Sequence, residues 1–292
     1  MRPVKTAIVV LLLCAWPFGA GAAEADGASG QVQLKWLGNA GWEIRVNDKI
    51  ILIDPFLTRR AAKPDAEWIT DEAAVLKTIT RADYVFVGHS HADHVADVPY
   101  IAKRFGAKVI GSRTSVNLAL TAGVDKSQVI VATDGERLDF GAFSVQVIES
   151  RHAVLARHTG RPKQQEMLEP ITGPIRGKNF LEGRCLLYYF AFGKHRVLHQ
   201  STANFIVEKL DGLHPDVALL AAGHNYDLKG ALKALGPKTV IVQHYDEWRA
   251  PFSSGITPSS TRRAQRFARE VTAADGRIKV IIPEFLSTHT LQ

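Results

Sequence analysis

The stretch Tyr84-Val85-Phe86-Val87-Gly88-His89-Ser90-His91-Ala92-Asp93-His94 is the most informative in the chain. Its first four residues are an apolar run that reads as a short buried strand, Gly88 ends the run, and a helix is expected over Val95 to Phe105. The residues between them lie on a loop at the end of a strand, where a scaffold presents ligand-binding side chains. Three histidines and one carboxylate fall within six residues there. Imidazole and carboxylate donors suit zinc, manganese or iron. The ordinary reading, a solvated His-rich turn, does not account for this spacing. His89 and His91 alternate, so both can face one metal. Asp93 and His94 come as the loop turns into the helix, and they can face a second.

On the N-terminal side, Val32 to Leu37, Trp42 to Val46 and Ile50 to Ile53 read as strands, with Asn47-Asp48 turning between the last two. A helix is expected over Asp71 to Thr78, capped by Thr70 or Asp71. On the C-terminal side, Lys108 to Ile110, Val129 to Val131 and Phe143 to Ile148 are strands. Leu186 to Phe192 and Arg196 to Leu198 pair across Gly193-Lys194. Helix Asn204 to Leu210, strand Val217 to Leu220, helix Leu228 to Leu235 and strand Thr239 to Val242 follow. Helix Ser260 to Ala273 and strand Ile278 to Ile282 close the chain. Strands begin as a meander and then alternate with helices, twice over. Two sheets packed face to face with helices outside satisfy this order.

The first 22 residues read as a secretory signal: Arg2 and Lys5, an apolar run from Ala7 to Ala15, Pro17, and the small residues Ala20-Gly21-Ala22. Ala23 to Gly30 looks like a flexible leader, and residues 31–292 look like one domain. The run is too short for a bilayer span, so no stable span is expected after cleavage. Cleavage lowers the formal charge from +7 to +5 and removes Cys14, one of the two cysteines. Cys185 then remains, without an internal partner, and reads as a small buried hydrophobe. The protein is expected to be exported, to the periplasm or outside the cell. A charge of +5 is modest for a nucleic-acid enzyme, and no clamp domain is apparent, so no nucleic-acid partner is expected.

Between Arg151 and Arg184 the periodicity stops, and Gly160, Pro162, Pro170, Gly173, Pro174, Gly177 and Gly183 punctuate the stretch. Long irregular connections in compact domains are often lids or binding loops. Its seven Lys and Arg residues against three Glu read either as a solvated loop or as a basic rim that attracts anionic substrates.

The His89–His94 stretch matches the HxHxDH signature, and through it nearly all of residues 31–292 resemble the metallo-β-lactamase superfamily. Leu37-Gly38-Asn39-Ala40-Gly41 and Ile50-Ile51-Leu52-Ile53-Asp54-Pro55-Phe56 look like the opening strands of its phosphate-lactonase-like and phospholipase-D-like branch. The resemblance implies an α+β fold, an αββα sandwich with a metal centre along one edge. It also implies two more ligands. His152 follows the strand that closes the first half and is favoured over His158. His244 ends the strand Thr239 to Gln243.

One position departs from the family. An aspartate that bridges two metals usually follows the strand Arg196 to Leu198, and Ser201 stands there. Neutral serine is a poor ligand. Two outcomes stay open. Two metals can be held, one by His89, His91 and His152 and the other by Asp93, His94 and His244, as in a subgroup of zinc β-lactamases with this serine. Alternatively the second site is weak and one metal works alone. Asp54, His199, Ser201 and His224 are candidates for the layer behind the ligands; Asp54 reads equally as a strand-end turn residue.

The resemblance therefore implies a hydrolase with one or two zinc ions, manganese and iron also being compatible. A metal-bound hydroxide would attack an ester, lactone or phosphodiester of a small or lipid-like, anionic-compatible substrate, with Asp93 as the catalytic carboxylate. The alternatives are a zinc β-lactamase and a catalytically impaired metal-binding protein. Of the 11 histidines, His89, His91, His94, His152 and His244 are assigned to the centre.

Overall fold

Tyr84 and Phe86 face one way and Val85 and Val87 the other, and both pairs find an apolar partner layer. This is the mark of a strand covered on both faces, and it explains the unbroken apolar run in the sequence. In the computed structural model, which describes residues 31–153, 165–223 and 226–291, this strand is one of seven in the first of two sheets. The signal and leader segments, Cys14, His158 and His224 lie outside the described residues.

The first sheet opens with the meander β1 (Gln33–Gly38), β2 (Gly41–Val46) and β3 (Lys49–Ile53). It continues in parallel through β4 (Tyr84–Val87), β5 (Lys108–Gly111) and β6 (Val129–Val131). The second sheet starts with β7 (Arg137–Asp139), β8 (Ser144–Glu149), β9 (Leu186–Phe192) and β10 (His195–Gln200), all antiparallel. Parallel strands β11 (Val217–Ala221), β12 (Thr239–Gln243) and β13 (Lys279–Ile281) complete it. The last strand, β14 (Thr288–Thr290), returns to pair with β1.

Between the sheets, Phe86 meets Tyr188 and Phe190 with ring centroids 5.1 Å apart in each case. Burying side chains of this size stabilises by about 1.5–3 kcal/mol each. Helices α1 (Glu72–Thr78), α2 (Ala92–Val95), α3 (Val98–Phe105) and α4 (Arg113–Thr121) pack on the outer side of the first sheet, where Val75, Val98, Ile101 and Leu118 meet Val85 and Val87. Helices α5 (Leu228–Leu235) and α6 (Pro258–Ala274) add Leu232, Leu235, Phe267 and Val271 to the core of the second. The arrangement is the α+β, αββα sandwich.

The short strands β7 and β14 were not expected, and three further elements depart from expectation. The helix over Val95 to Phe105 is broken into α2 and α3. Pro99 is tolerated only in a first turn, and the Asp97 carboxylate is taken by Thr58 and the backbone of Leu57 and Thr58 at 2.6–2.8 Å. Asn204 to Leu210 holds only a 3-10 turn at Val207–Lys209. The Asn204 carbonyl there accepts bonds from the Ser150 hydroxyl and the Gln200 amide rather than from the next turn. Helix α4 was not expected, because Thr114, Ser115 and Asn117 are weak helix formers. It is started by Ser112, whose hydroxyl accepts from the Ser115 N–H.

The irregular segment is irregular where described, apart from a 3-10 turn at Gly177–Asn179. It is pinned to the histidine loop, since the Ser90 N–H donates to the Glu182 carbonyl at 2.9 Å. Of its four described cations, Arg151, Arg176, Lys178 and Arg184, the last two are matched by acids. Lys178 lies 3.0 Å from Asp65, and Arg184 lies 3.4 Å from Glu149 and 3.3 Å from Glu166. Such pairs add little stability at a surface, and they offset the charge of these two residues.

Candidate metal centre

Six side chains from three separate strand ends converge in two groups. His89, His91 and His152 bring one donor atom each within 4.8 Å of one another, and so do Asp93, His94 and His244. The first group uses the loop after β4 and the chain just past β8. The second uses α2, which follows that loop, and the residue just past β12. These loops meet because β4 and β12 lie in facing sheets and run out toward the same edge. His244 takes a left-handed backbone, φ 55°, which swings it out of the strand direction.

A hydrogen-bond chain behind the ligands fixes how their rings face. Asp54 follows β3 in a left-handed conformation, φ 43°, and is fully buried. One of its oxygens accepts from the Gly88 N–H at 2.7 Å. The other accepts from the Ser201 hydroxyl at 2.6 Å and from His94 Nδ1 at 2.9 Å. The Ser201 hydroxyl has one proton, given to Asp54, so it accepts from His89 Nδ1 at 2.9 Å. This assignment puts N–H on Nδ1 of both His89 and His94 and leaves both Nε2 lone pairs for a metal. His94 Nε2 and His244 Nε2 lie 3.4 Å and 3.6 Å from Asp93 Oδ2. His152 Nδ1 lies 2.9 Å from the Ala153 carbonyl, an arrangement that likewise frees its Nε2.

The electrostatics fit metal ligation. Burial pushes the His89 imidazole well below its ordinary range, and the neighbouring His94, His91 and His152 add to the effect. Burial and His91 take His152 down to about 3. Both are neutral donors at neutral pH, as a metal requires. Burial opposes charge on His94, but Asp93 and Asp54 outweigh it and raise that imidazole to about 10. Burial likewise opposes charge on Asp93, yet His94 and His244 hold its carboxyl well below the usual range. The negative charge of the second group therefore sits on Asp93, where it faces His94 and His244 and favours a bound cation.

The residues expected behind the ligands divide. Asp54 touches a candidate ligand directly. Ser201 reaches the rear, Nδ1, side of His89 and His94, so its hydroxyl does not extend between the two groups as a bridging carboxylate would. His199 donates from Nε2 to the Ala40 carbonyl at 2.9 Å rather than to a candidate ligand, and its Nδ1 is buried without a partner.

Sequence reasoning did not single out Gly88. A Cβ there would come within 2.2 Å of the Ser201 Cβ, so glycine is what lets Ser201 approach. The signal available was a glycine at the junction of strand and ligand loop.

A family model described as the beta-lactamase superfamily domain matches residues 33–244, which run from β1 to the end of β12 and include every candidate ligand. The chain belongs to the metallo-β-lactamase superfamily. Among its relatives in the superfamily is a protein of Polynucleobacter asymbioticus named as a metal-dependent hydrolase, 28% identical over 82% of this chain and 83% of its own length. A protein of Carboxydothermus hydrogenoformans with the same name is 30% identical over 74% of this chain and 86% of its own. Among solved structures, a metallo hydrolase from the archaeon Ignicoccus hospitalis superposes with a TM-score of 0.62 at 21% identity, over 90% of this chain and 99% of its own, a likeness of fold.

Proposed function

We propose that this protein is an exported, metal-dependent hydrolase that cleaves an ester, lactone or phosphodiester bond in a small or lipid-like substrate. The observation that carries the reading is the convergence of His89, His91, His152, Asp93, His94 and His244 into two three-donor groups, backed by Asp54 and Ser201. The names of the relatives support metal-dependent hydrolysis. One or two divalent ions bound there, zinc foremost, would bring the pKa of water toward neutrality and polarise a carbonyl or phosphoryl oxygen.

The chain's own groups do the rest. The three imidazoles of the first group, His89, His91 and His152, would hold an ion with a position left for water or substrate, as catalytic sites do. Asp93, ionised, is placed to orient the attacking water and to carry its proton from Oδ2 to the leaving group. Asp54 and Ser201 hold the imidazoles still, so little reorganisation accompanies reaction. The start of the chain, Met1 to Ala22, supports export, and no helix among the described residues is long and apolar enough to cross a membrane.

The test is to strip the purified protein with a chelator and reload it with Zn2+, Mn2+ or Fe2+. It is then assayed with a chromogenic ester, a lactone, a bis-aryl phosphodiester and a chromogenic cephalosporin. Metal-dependent turnover of one of the first three, abolished in His91→Ala, is expected. A protein that binds no metal, or that turns over the cephalosporin alone, overturns the proposal. Cell fractionation of the full chain should place it outside the cytoplasm.

A further inference from the structure

We infer that Asn39 is a positioning residue for the second ligand group, setting the Asp93 carboxylate and the His244 backbone relative to each other. The inference rests on the metal-centre reading above. Asp93 follows β4 in the first sheet and His244 ends β12 in the second, so no shared strand ladder fixes their separation. Asn39 bonds to both. Its Nδ2 donates to the Asp93 carbonyl at 2.7 Å and lies 3.3 Å from Asp93 Oδ2, the oxygen that faces His94 and His244. Its own carbonyl accepts from the His244 N–H at 2.8 Å. One amide thus uses both of its protons on Asp93, while the same residue's main chain ties down the other ligand.

Asn39 is itself held firmly. It sits fully buried in the turn between β1 and β2, with a left-handed φ of 51° that asparagine adopts more readily than most residues. Its N–H donates to Asp246 Oδ1 at 2.9 Å, and its carbonyl also accepts from Trp36 Nε1 at 3.1 Å. The other Asp246 oxygen is paired with Arg59 Nη2 at 2.7 Å, both side chains being buried. Arg59 is in turn fixed by the Ala250 carbonyl at 2.6 Å and by the rings of Phe252 and Phe285, 4.8 Å and 4.9 Å from its guanidinium carbon. The buried ion pair therefore anchors the turn, and Asn39 transmits that placement to Asp93 and His244.

The experiment compares wild type, Asn39→Asp and Asn39→Gly in the full-length protein. Aspartate and glycine both accept the left-handed backbone. Asn39→Asp puts an acceptor oxygen against two acceptor oxygens of Asp93. Asn39→Gly keeps every main-chain bond and deletes only the amide, so the test survives if the aspartate variant fails to fold. The readouts are Co2+ and Zn2+ stoichiometry and Kd by chelator competition, the Co2+ electronic spectrum, and the melting temperature of the metal-free protein. Both variants should weaken the second ion by about 10–100-fold and alter its Co2+ spectrum, with the first ion unaffected. Asn39→Gly binding two ions with wild-type affinity and spectrum overturns the inference alone. Loss of both ions with a lower metal-free melting temperature marks a merely structural role and also overturns it. Wild type that binds only one ion overturns this inference, and wild type that binds none overturns the metal-centre reading with it.

Discussion

Ser201 and Asp54, 147 residues apart in the chain, meet at 2.6 Å beneath the candidate metal centre. The pair replaces the usual arrangement of the superfamily, in which a carboxylate follows this strand. Here the carboxylate comes from the end of β3, and the serine relays its hold to His89. Replacing Ser201 by aspartate would put two carboxylates side by side in a buried site, where one must take up a proton. Ser201→Asp should therefore lower the melting temperature without tightening metal binding. Ser201→Ala should leave the His89 Nδ1–H buried and unpaired, at a cost of about 1–3 kcal/mol, and weaken the first ion. Zinc titrations and thermal melts check both, and a Ser201→Asp protein that binds its second ion more tightly would contradict the arrangement.

Gly88 and Ser201 should behave as a coupled pair. Gly88→Ala alone forces a Cβ to within 2.2 Å of the Ser201 Cβ and should destabilise by about 1–3 kcal/mol or more. Removing that Cβ as well, in Gly88→Ala/Ser201→Gly, should recover part of the loss, although the serine hydrogen bonds remain absent. A double-mutant cycle by urea unfolding measures the coupling. Strict additivity would show that the glycine answers to some other neighbour.

Much of this centre was legible in the sequence because it is local. His89, His91, Asp93 and His94 share one six-residue stretch, and the alternation of Tyr84 and Phe86 against Val85 and Val87 gave a strand covered on both faces. His152 and His244 were reached only through family resemblance, since a single histidine after an apolar strand carries little information. The Arg59–Asp246–Asn39 chain was not legible at all: its members lie 187 and 207 residues apart along the chain, and nothing local marks them as partners. Helix α4 was hidden by weak formers, and Ser201 could be seen as a departure but not as a hydrogen-bond relay.

Alkaline pH should weaken the fold through Tyr188. Its hydroxyl donates to the Val87 carbonyl at 2.7 Å, next to the strand end that carries His89, and burial pushes the phenol well above its ordinary value. The unfolded chain releases this proton near pH 10, whereas the folded chain retains it. The associated stability is thus full below about pH 10 and falls as pH rises further. Burial raises Tyr226 and Tyr245 in the same direction, so Tyr188→Phe should reduce the slope rather than abolish it. It should also lose about 0.5–1.5 kcal/mol at neutral pH. Denaturant unfolding from pH 8 to 11 reads both effects, and an unchanged slope would exclude Tyr188 as a contributor.

Cys185 should be inert in the native state. Its thiol is buried, and burial pushes it well above its ordinary value, so the thiolate that reacts with alkylating agents is scarce. Iodoacetamide at pH 8 should label it only after denaturation, as peptide mass mapping will show. Rapid native labelling would mean that this part of the fold opens readily.

The central claim, two groups of three donors with Asp54 and Ser201 behind them, is tested most directly by an anomalous-scattering map of crystals grown with zinc, recorded on both sides of the zinc edge. The account predicts zinc within bonding distance of His89, His91 and His152, of Asp93, His94 and His244, or of both groups, with no ion touching Ser201 or His199. The absence of zinc from both groups, or a zinc ion ligated by Ser201 or His199, would contradict it.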